Sequence, residues 1–323
     1  MDVIASLGRD VLETVGQTYE TYGNILRLPA NSSVIHKTEV TSFSYGQHPR
    51  NVLDLYEPEP TTPPPLAGRT RPILLYVYGG AFMFGDRILS DIPGELVYRN
   101  IASFFAGKLG YNVIIMDYRL VKQGAKYPSG GEDVDEAIGW ICRHFTEEHD
   151  LFLMGHSAGG SHIATWMFAE DFQDRRNVLI SGTKGPKLAG AIFLSTPLSL
   201  TPDLEALFEP YYGKANESRM KQPTSLMHGM LRQTNPSLVE KWPRILVLVS
   251  ELDPESVHDA ATGFKKPWSD AGGRLELKVL ERHNHHSPPL SLGTQIEEEE
   301  AWGYLVGEWM KTASSDNDRR TSL

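Results

Sequence analysis

The chain has 323 residues, 40% of them hydrophobic, which suits one large α/β domain carrying insertions. Its net charge of −10 argues against a nucleic-acid partner, because an acidic surface repels phosphate backbones. The single cysteine, Cys142, excludes an internal disulfide and fits a reducing compartment.

Ile4, Leu7, Val11, Val15, Tyr19 and Tyr22 recur at three- and four-residue steps and predict one amphipathic N-terminal helix, a candidate lid. Val40–Tyr45 and Asn51–Tyr56 read as a hairpin around the turn 46–50. The proline-rich stretch from Glu57 to Pro72 can be neither strand nor helix interior and reads as a surface loop. Ile73–Tyr78 is a buried strand running into Gly79-Gly80-Ala81-Phe82. A helix is expected over about Glu95–Leu109, then the strand Asn112–Met116 and a helix over Glu132–His149. Cys142 falls within that helix's apolar run and reads as a packed thiol. After the strand Leu151–Met154 comes Gly155-His156-Ser157-Ala158-Gly159, then a helical pattern from Ser161 to Phe172.

Ala189–Leu194 is a further strand. From Thr196 to Pro243 the rhythm breaks into short helical fragments with Phe208, Tyr211, Tyr212, Met220, Met227 and Met230. An insertion at this point would sit over the carboxyl edge of the sheet, so it reads as a cap lining an apolar pocket. Ile245–Val249 is a fully buried strand ending at Glu251-Leu252-Asp253-Pro254. A helix over Ser256–Ala271 and an edge strand over Leu275–Leu280 follow. The loop Arg282–Pro289 carries His283, His285 and His286, and a last helix spans Glu297–Lys311. Its four leading glutamates suit the positive end of the helix dipole. The tail beyond it is polar and expected to be loose. Strands alternating with helices predict a doubly wound, mostly parallel sheet with an antiparallel hairpin at its start.

The chemistry centres on Ser157. Strand, sharp turn and helix around G-x-S-x-G make a nucleophile elbow, which holds the serine hydroxyl proud of the sheet. At Gly155 and Gly159 a Cβ would strike the neighbouring strand or helix. The Ala158 N–H, opening the helix, is one expected oxyanion donor. Gly79, Gly80 or Ala81, placed straight after a strand, supply the other. A serine hydroxyl needs a base, and the base an orienting carboxylate. Asp253 is favoured over Glu251, because the strand must end before the acid can turn and Pro254 shapes that turn. His285 is favoured over His283 and His286, because Ser287-Pro288 places it at the loop apex. His156 reads as a spacer packing away from the reaction. Three histidines in four residues could also bind a metal, but no carboxylate or cysteine stands at ligand spacing, so no metal or cofactor is expected.

Together these residues resemble the α/β-hydrolase superfamily, most of all its hormone-sensitive-lipase-like and kynurenine-formamidase-like esterases, including hydrolases of fungal secondary-metabolite pathways. The resemblance runs from about residue 40 to 311. It rests on Tyr78–Phe82 where the family has H-G-G-x-[FW], on Asp117-Tyr118-Arg119-Leu120 with Tyr127-Pro128 and Asp133, on the elbow, on Glu251–Pro254 and on the histidine loop. It implies the triad Ser157, Asp253 and His285. Tyr78 replaces the family's histidine, so the oxyanion loop is expected to be braced differently.

The expected organisation is an N-terminal helix over 1–39, a hydrolase domain over 40–313 with a cap over about 196–243, and a tail over 314–323. The expected activity is cleavage of a small to medium apolar carboxylic ester through an acyl-enzyme on Ser157. Acyl transfer, lactone or formamide chemistry on the same serine is the alternative, with a non-catalytic ligand-binding relative behind it. No apolar run is long enough to span a membrane, and no basic-then-apolar leader is legible, so a cytoplasmic address is expected. The ending Arg319-Arg320-Thr321-Ser322-Leu323 only faintly resembles a peroxisomal signal.

Overall fold

A computed structural model describes residues 1–182, 184–234 and 236–321; Ser322 and Leu323 of the C-terminal tripeptide lie outside them. Eight strands form one sheet in the order β1-β2-β4-β3-β5-β6-β7-β8. They are β1 (Thr41–Ser44), β2 (Val52–Tyr56), β3 (Ile73–Val77), β4 (Asn112–Met116), β5 (Asp150–His156), β6 (Lys187–Leu194), β7 (Arg244–Leu252) and β8 (Leu275–Asn284). β1 and β2 pair antiparallel as a hairpin and β2 meets β4 antiparallel; every later pairing is parallel.

The central strands are apolar on both faces because helices cover both. Ile73 to Val77 and Asn112 to Met116 are buried throughout. Each fully buried aliphatic side chain of this kind contributes about 1.5–3 kcal/mol. On one face lie α5 (Ser129–His144), α6 (Ala158–Phe168) and α13 (Glu255–Asp270). On the other lie α4 (Arg99–Ala102), which widens into a π-helical stretch over Ser103–Lys108, and α15 (Glu297–Thr321). There Trp309 of α15 packs on Phe152 with ring centroids 6.2 Å apart. The helix expected from Glu95 thus begins only at Arg99. The last helix runs ten residues beyond Lys311, burying Ala313 and Ser314 where a loose tail was expected.

The N-terminal region departs most from its pattern. One helix was expected, but the structure has α1 (Asp2–Ala5), α2 (Val11–Leu26) and α3 (Pro29–Lys37). The chain turns at Gly8, with φ 91°, and Asp10 then caps α2 by accepting from the N–H groups of Leu12 and Glu13. The apolar spacing ran through this cap and concealed it. Pro29 opens α3 from its first turn.

Between β6 and β7 come α7's successors, a group of short helices. α7 (Gln173–Ser181) precedes β6; α8 (Pro202–Leu207), α9 (Glu209–Tyr212), α10 (Ala215–Lys221), α11 (Pro223–Gln233) and α12 (Pro236–Val239) follow it. Among the described residues no helix is long and apolar enough to cross a membrane.

Candidate active site

Ser157 stands between the end of β5 and the first residue of α6, with φ 50° and ψ −123°. A non-glycine residue in this region costs about 1–3 kcal/mol and persists only where its surroundings over-determine it. The surroundings here are backbone. A Cβ on Gly155 would collide with Gly160, and one on Gly159 with the carbonyl of Val77. The elbow therefore packs against its own helix on one side and β3 on the other. The Ser157 N–H donates to Leu194 O at 2.9 Å, tying the turn to β6.

His285 and Asp253 meet this serine from the far end of the chain. His285 Nε2 lies 3.0 Å from Ser157 Oγ, and His285 Nδ1 lies 2.7 Å from Asp253 Oδ1. Asp253 is fully buried. Its Oδ2 accepts from Ser195 Oγ at 2.7 Å and from the Ser250 N–H at 2.8 Å. Burial alone would raise this carboxyl, but the hydrogen bonds from His285, Ser195 and Ser250 outweigh it and hold Asp253 below the usual carboxylate range. Glu251 is exposed and turns away, accepting from the Arg282 N–H at 2.6 Å.

The other histidines do different work. β8 extends to Asn284, so His283 is a strand residue, with Nδ1 2.8 Å from Ser287 Oγ. α14 (Ser287–Ser291) follows at once, leaving only His285 and His286 in the turn. His286 Nε2 donates to Val11 O at 2.7 Å, and its ring meets Tyr19 edge-on at 5.9 Å. Burial lowers both His283 and His286 to about 4, so both are neutral near pH 7. His156 does not pack away as expected. It is buried, and Nε2 donates at 2.8 Å to the carbonyl of His285 itself. Burial holds it near 3.

Several residues that brace this end carry no motif. Asn284 accepts from the N–H groups of His286 and Ser287 and donates to Thr18 Oγ1 at 2.8 Å. Arg9 Nη1 donates to Asp253 O at 2.6 Å. The N-terminal helices thus hold the acid and histidine turns. The only sequence signal was a polar residue, Ser195 or Ser250, closing an otherwise apolar strand.

Across from the histidine lies the loop after β3. Gly80 has φ 137°, and Ala81 and Phe82 have φ 52° and 66°. A Cβ on Gly80 would strike Phe84 O, and one on Gly79 would come within 2.9 Å of Ser157 Cβ. Among the described residues the N–H groups of Gly80, Ala81 and Ala158 have no protein acceptor. Tyr78 shows how the loop is braced without a histidine. Its ring stacks between Tyr98 and Tyr118, at 5.5 and 4.7 Å. Its hydroxyl donates to Asp117 Oδ1 at 2.8 Å and accepts from Arg50 Nη2 at 2.6 Å. Burial raises Asp117 to about 6, against the pull of Arg50. Asp133 likewise pairs with Arg119 Nε at 2.8 Å.

The segment after β6 covers this loop. Phe82 stacks on Tyr211 at 4.4 Å and meets Phe208 and Tyr212 edge-on. Ala158 belongs to the same buried cluster, with Val121, Leu200 and Leu204 packed around it. Half-exposed Ser157 therefore has an apolar, aromatic wall beside it. Of the methionines expected in a cap pocket, Met227 joins the main core and Met220 is exposed. Among the described residues no group of three or more His, Cys, Asp and Glu side chains is placed to hold a metal. Cys142 is half-buried, and burial raises its thiol.

Solved structures with a similar fold are numerous. The chain superimposes on the Francisella virulence factor BioJ with a TM-score of 0.63 at 15% identity, covering 96% of this chain and 95% of that one. An esterase from the archaeon Pyrobaculum calidifontis gives 0.62 at 16% identity, covering 94% of each chain. The fold is the α/β-hydrolase fold. In sequence, the BD-FAE family profile matches residues 53–195, from the second strand to just past β6. A probable isoprenylcysteine alpha-carbonyl methylesterase of Arabidopsis thaliana is 25% identical over 300 residues, 86% of this chain. This chain spans 58% of that relative's length. Within this α/β-hydrolase frame, Ser157, His285 and Asp253 occupy the ends of β5, β8 and β7.

Proposed function

We propose that this protein is a serine carboxylesterase acting on an apolar ester through an acyl-enzyme on Ser157. The observation that carries the reading is the unbroken hydrogen-bonded line Ser157 Oγ–His285–Asp253, with the N–H groups of Gly80, Ala81 and Ala158 unpaired among the described residues. His285 Nε2 takes the Ser157 proton as Oγ attacks the ester carbonyl carbon. The oxyanion that forms is stabilised by the Ala158 N–H and the Gly79–Ala81 segment. One such donor is typically worth about 3–4 kcal/mol. Asp253, held ionised, orients the ring and stabilises the imidazolium. His285 then returns the proton to the departing alcohol. Water, deprotonated by the same imidazole, opens the acyl-enzyme and releases the acid.

The aromatic wall of Phe82, Phe208, Tyr211 and Tyr212 favours an apolar group on the substrate. The relative named a methylesterase favours a methyl ester of an apolar acid, with a small alcohol leaving. The test is a panel of p-nitrophenyl esters of increasing acyl length together with methyl esters of apolar acids. The expected result is turnover in the wild type and none above background in Ser157→Ala. Equal rates in the two proteins would remove the serine from the chemistry. Transfer of the acyl group to an added alcohol or amine in preference to water would make the enzyme an acyltransferase.

A further inference from the structure

A cavity of about 1300 Å³ lies away from Ser157, which is not among its lining residues. It lies between α7 and α11, under the carboxyl end of α6, and Phe168, Ile180, Leu226, Met230 and Trp242 form its apolar walls. Arg176 of α7 also lines it, and that residue is unusual. It is 96% buried, its exposure being 4%. Its neighbour Arg175 pairs with Asp135 at 2.8 Å, but Arg176 has no carboxylate partner among the described residues. Nη1 donates to Trp166 O at 3.0 Å and Ala169 O at 2.9 Å, the last carbonyls of α6. Among the described residues Nε has no partner but is closed off from the cavity, and Nη2 donates to no protein group. Nη2 is therefore the donor left for a ligand, a charged N–H suited to a carboxylate oxygen.

A buried cation without a counter-charge is costly, and the structure offsets only part of that cost. The guanidinium carbon sits 5.3 Å from the centre of the Trp242 ring, which in turn stacks on Phe168. Of the other cations around the cavity, Arg219 pairs with Glu205 and Lys187 with Glu148, while Arg232 and Lys241 are exposed to solvent, where their charge is screened. Glu170 and Asp171 also line it but are exposed to solvent, where their charge is screened. One buried positive charge balances one negative charge; a phosphate dianion would leave a charge unmatched. The remaining walls mix polar side chains such as Gln173, Ser225 and Gln233 with the apolar ones named above, and the volume far exceeds that of a small organic acid.

We propose that this cavity is a second binding site, separate from Ser157, for a monocarboxylate on an apolar body, with the carboxylate on Nη2 of Arg176 and the body against Trp242 and Phe168. Such acids are the class of product that ester cleavage releases, so the site would sense or retain product. Binding itself needs no turnover, and its test is therefore independent of the esterase reading.

The experiment is calorimetric titration of Ser157→Ala protein with decanoate, 1-decanol and inorganic phosphate, repeated on that protein carrying Arg176→Gln or Asn177→Glu. Asn177 is exposed and lines the same cavity, so Asn177→Glu adds a repelling charge without touching the bonds of Arg176. It remains informative should Arg176→Gln fail to fold. The expected result is one-to-one decanoate binding, at least ~10-fold weaker for 1-decanol and in either variant, since losing a buried charge-assisted pair costs a factor of this order or more. Phosphate alone should not bind. Four outcomes overturn the proposal: no decanoate binding, equal affinity for 1-decanol, phosphate binding as tightly as decanoate, or Asn177→Glu binding decanoate as the parent does. The last would place the acid elsewhere, including beside residue 157.

Discussion

The serine and the histidine of this site are held by opposite means. Ser157 is placed by backbone sterics: Gly155, Gly159 and Gly160 let strand, turn and helix approach until no side chain fits between them. His285 is placed by polar contacts drawn from across the chain. His156 holds its carbonyl, Asn284 the following N–H groups, and Thr18, Val11 and Arg9 tie in the N-terminal helices. The first arrangement is local and tolerates almost no change. The second is distributed, so each contact is worth little alone. The lesson is that the support of Ser157 should fail abruptly on mutation and that of His285 gradually.

The largest effect belongs to the reacting atoms. Ser157→Ala should lower kcat for a p-nitrophenyl ester by ~10⁵-fold with unchanged circular dichroism, in line with loss of a triad nucleophile. His285→Ala should cost ~10⁴-fold, whereas His283→Ala and His286→Ala, which touch Ser287 and Val11 instead, should cost less than ~10-fold. A reversed order would move the base and break the comparison at its centre.

Next come the two kinds of support. Gly159→Ala drives a Cβ into Val77 O and should lose about 3 kcal/mol or more of stability in urea titrations, or fail to fold. Thr18→Val removes the hydrogen bond from Asn284 and the hydroxyl's own bond to Thr14 O, and should cost about 1–2 kcal/mol, with kcat falling several-fold. If the two cost the same, the contrast between steric and distributed support is wrong.

The smallest effect at neutral pH is acid sensitivity. Burial holds His156 and His162 near 3 and His283 and His286 near 4, against 6.5 for the free side chain. The unfolded chain therefore binds more protons between these values, and stability rises with pH from about 4 to about 6.5. Asp253 adds to this lower down: its depressed carboxyl stabilises the fold above 3.8, and that contribution disappears as pH falls below it. Urea midpoints should fall steadily from pH 7 to pH 4.5, and a flat profile would mean these rings are hydrated.

These two modes of support also explain what could be read from the sequence. The elbow, the glycines after β3 and the alternation of buried strands with helices are local patterns imposed by sterics, and the structure follows them closely. The turn at Pro254 favours Asp253 over Glu251 and the apex position favours His285 over its neighbours, and it is these two side chains that lie in line with Ser157. What escaped was non-local. Thr18, Asn284, Ser195 and Ser250 have no spacing that links them, because their partners lie on other elements. The break at Gly8–Asp10 was masked by apolar residues that continue on both sides of it. The stretch past Lys311 is polar in sequence and carries no periodic signal. His156, inside the elbow, reads as a spacer because its partner, the His285 carbonyl, is 129 residues away.

The central claim is that Ser157 is a nucleophile activated by His285. Its most direct measurement is labelling with a fluorophosphonate, followed by peptide mass spectrometry of the wild type and His285→Ala. The account predicts a single adduct on Ser157 within minutes, and at least ~10³-fold slower labelling in the variant, as expected for loss of a general base. An adduct on another residue, or equal labelling rates in the two proteins, would contradict it.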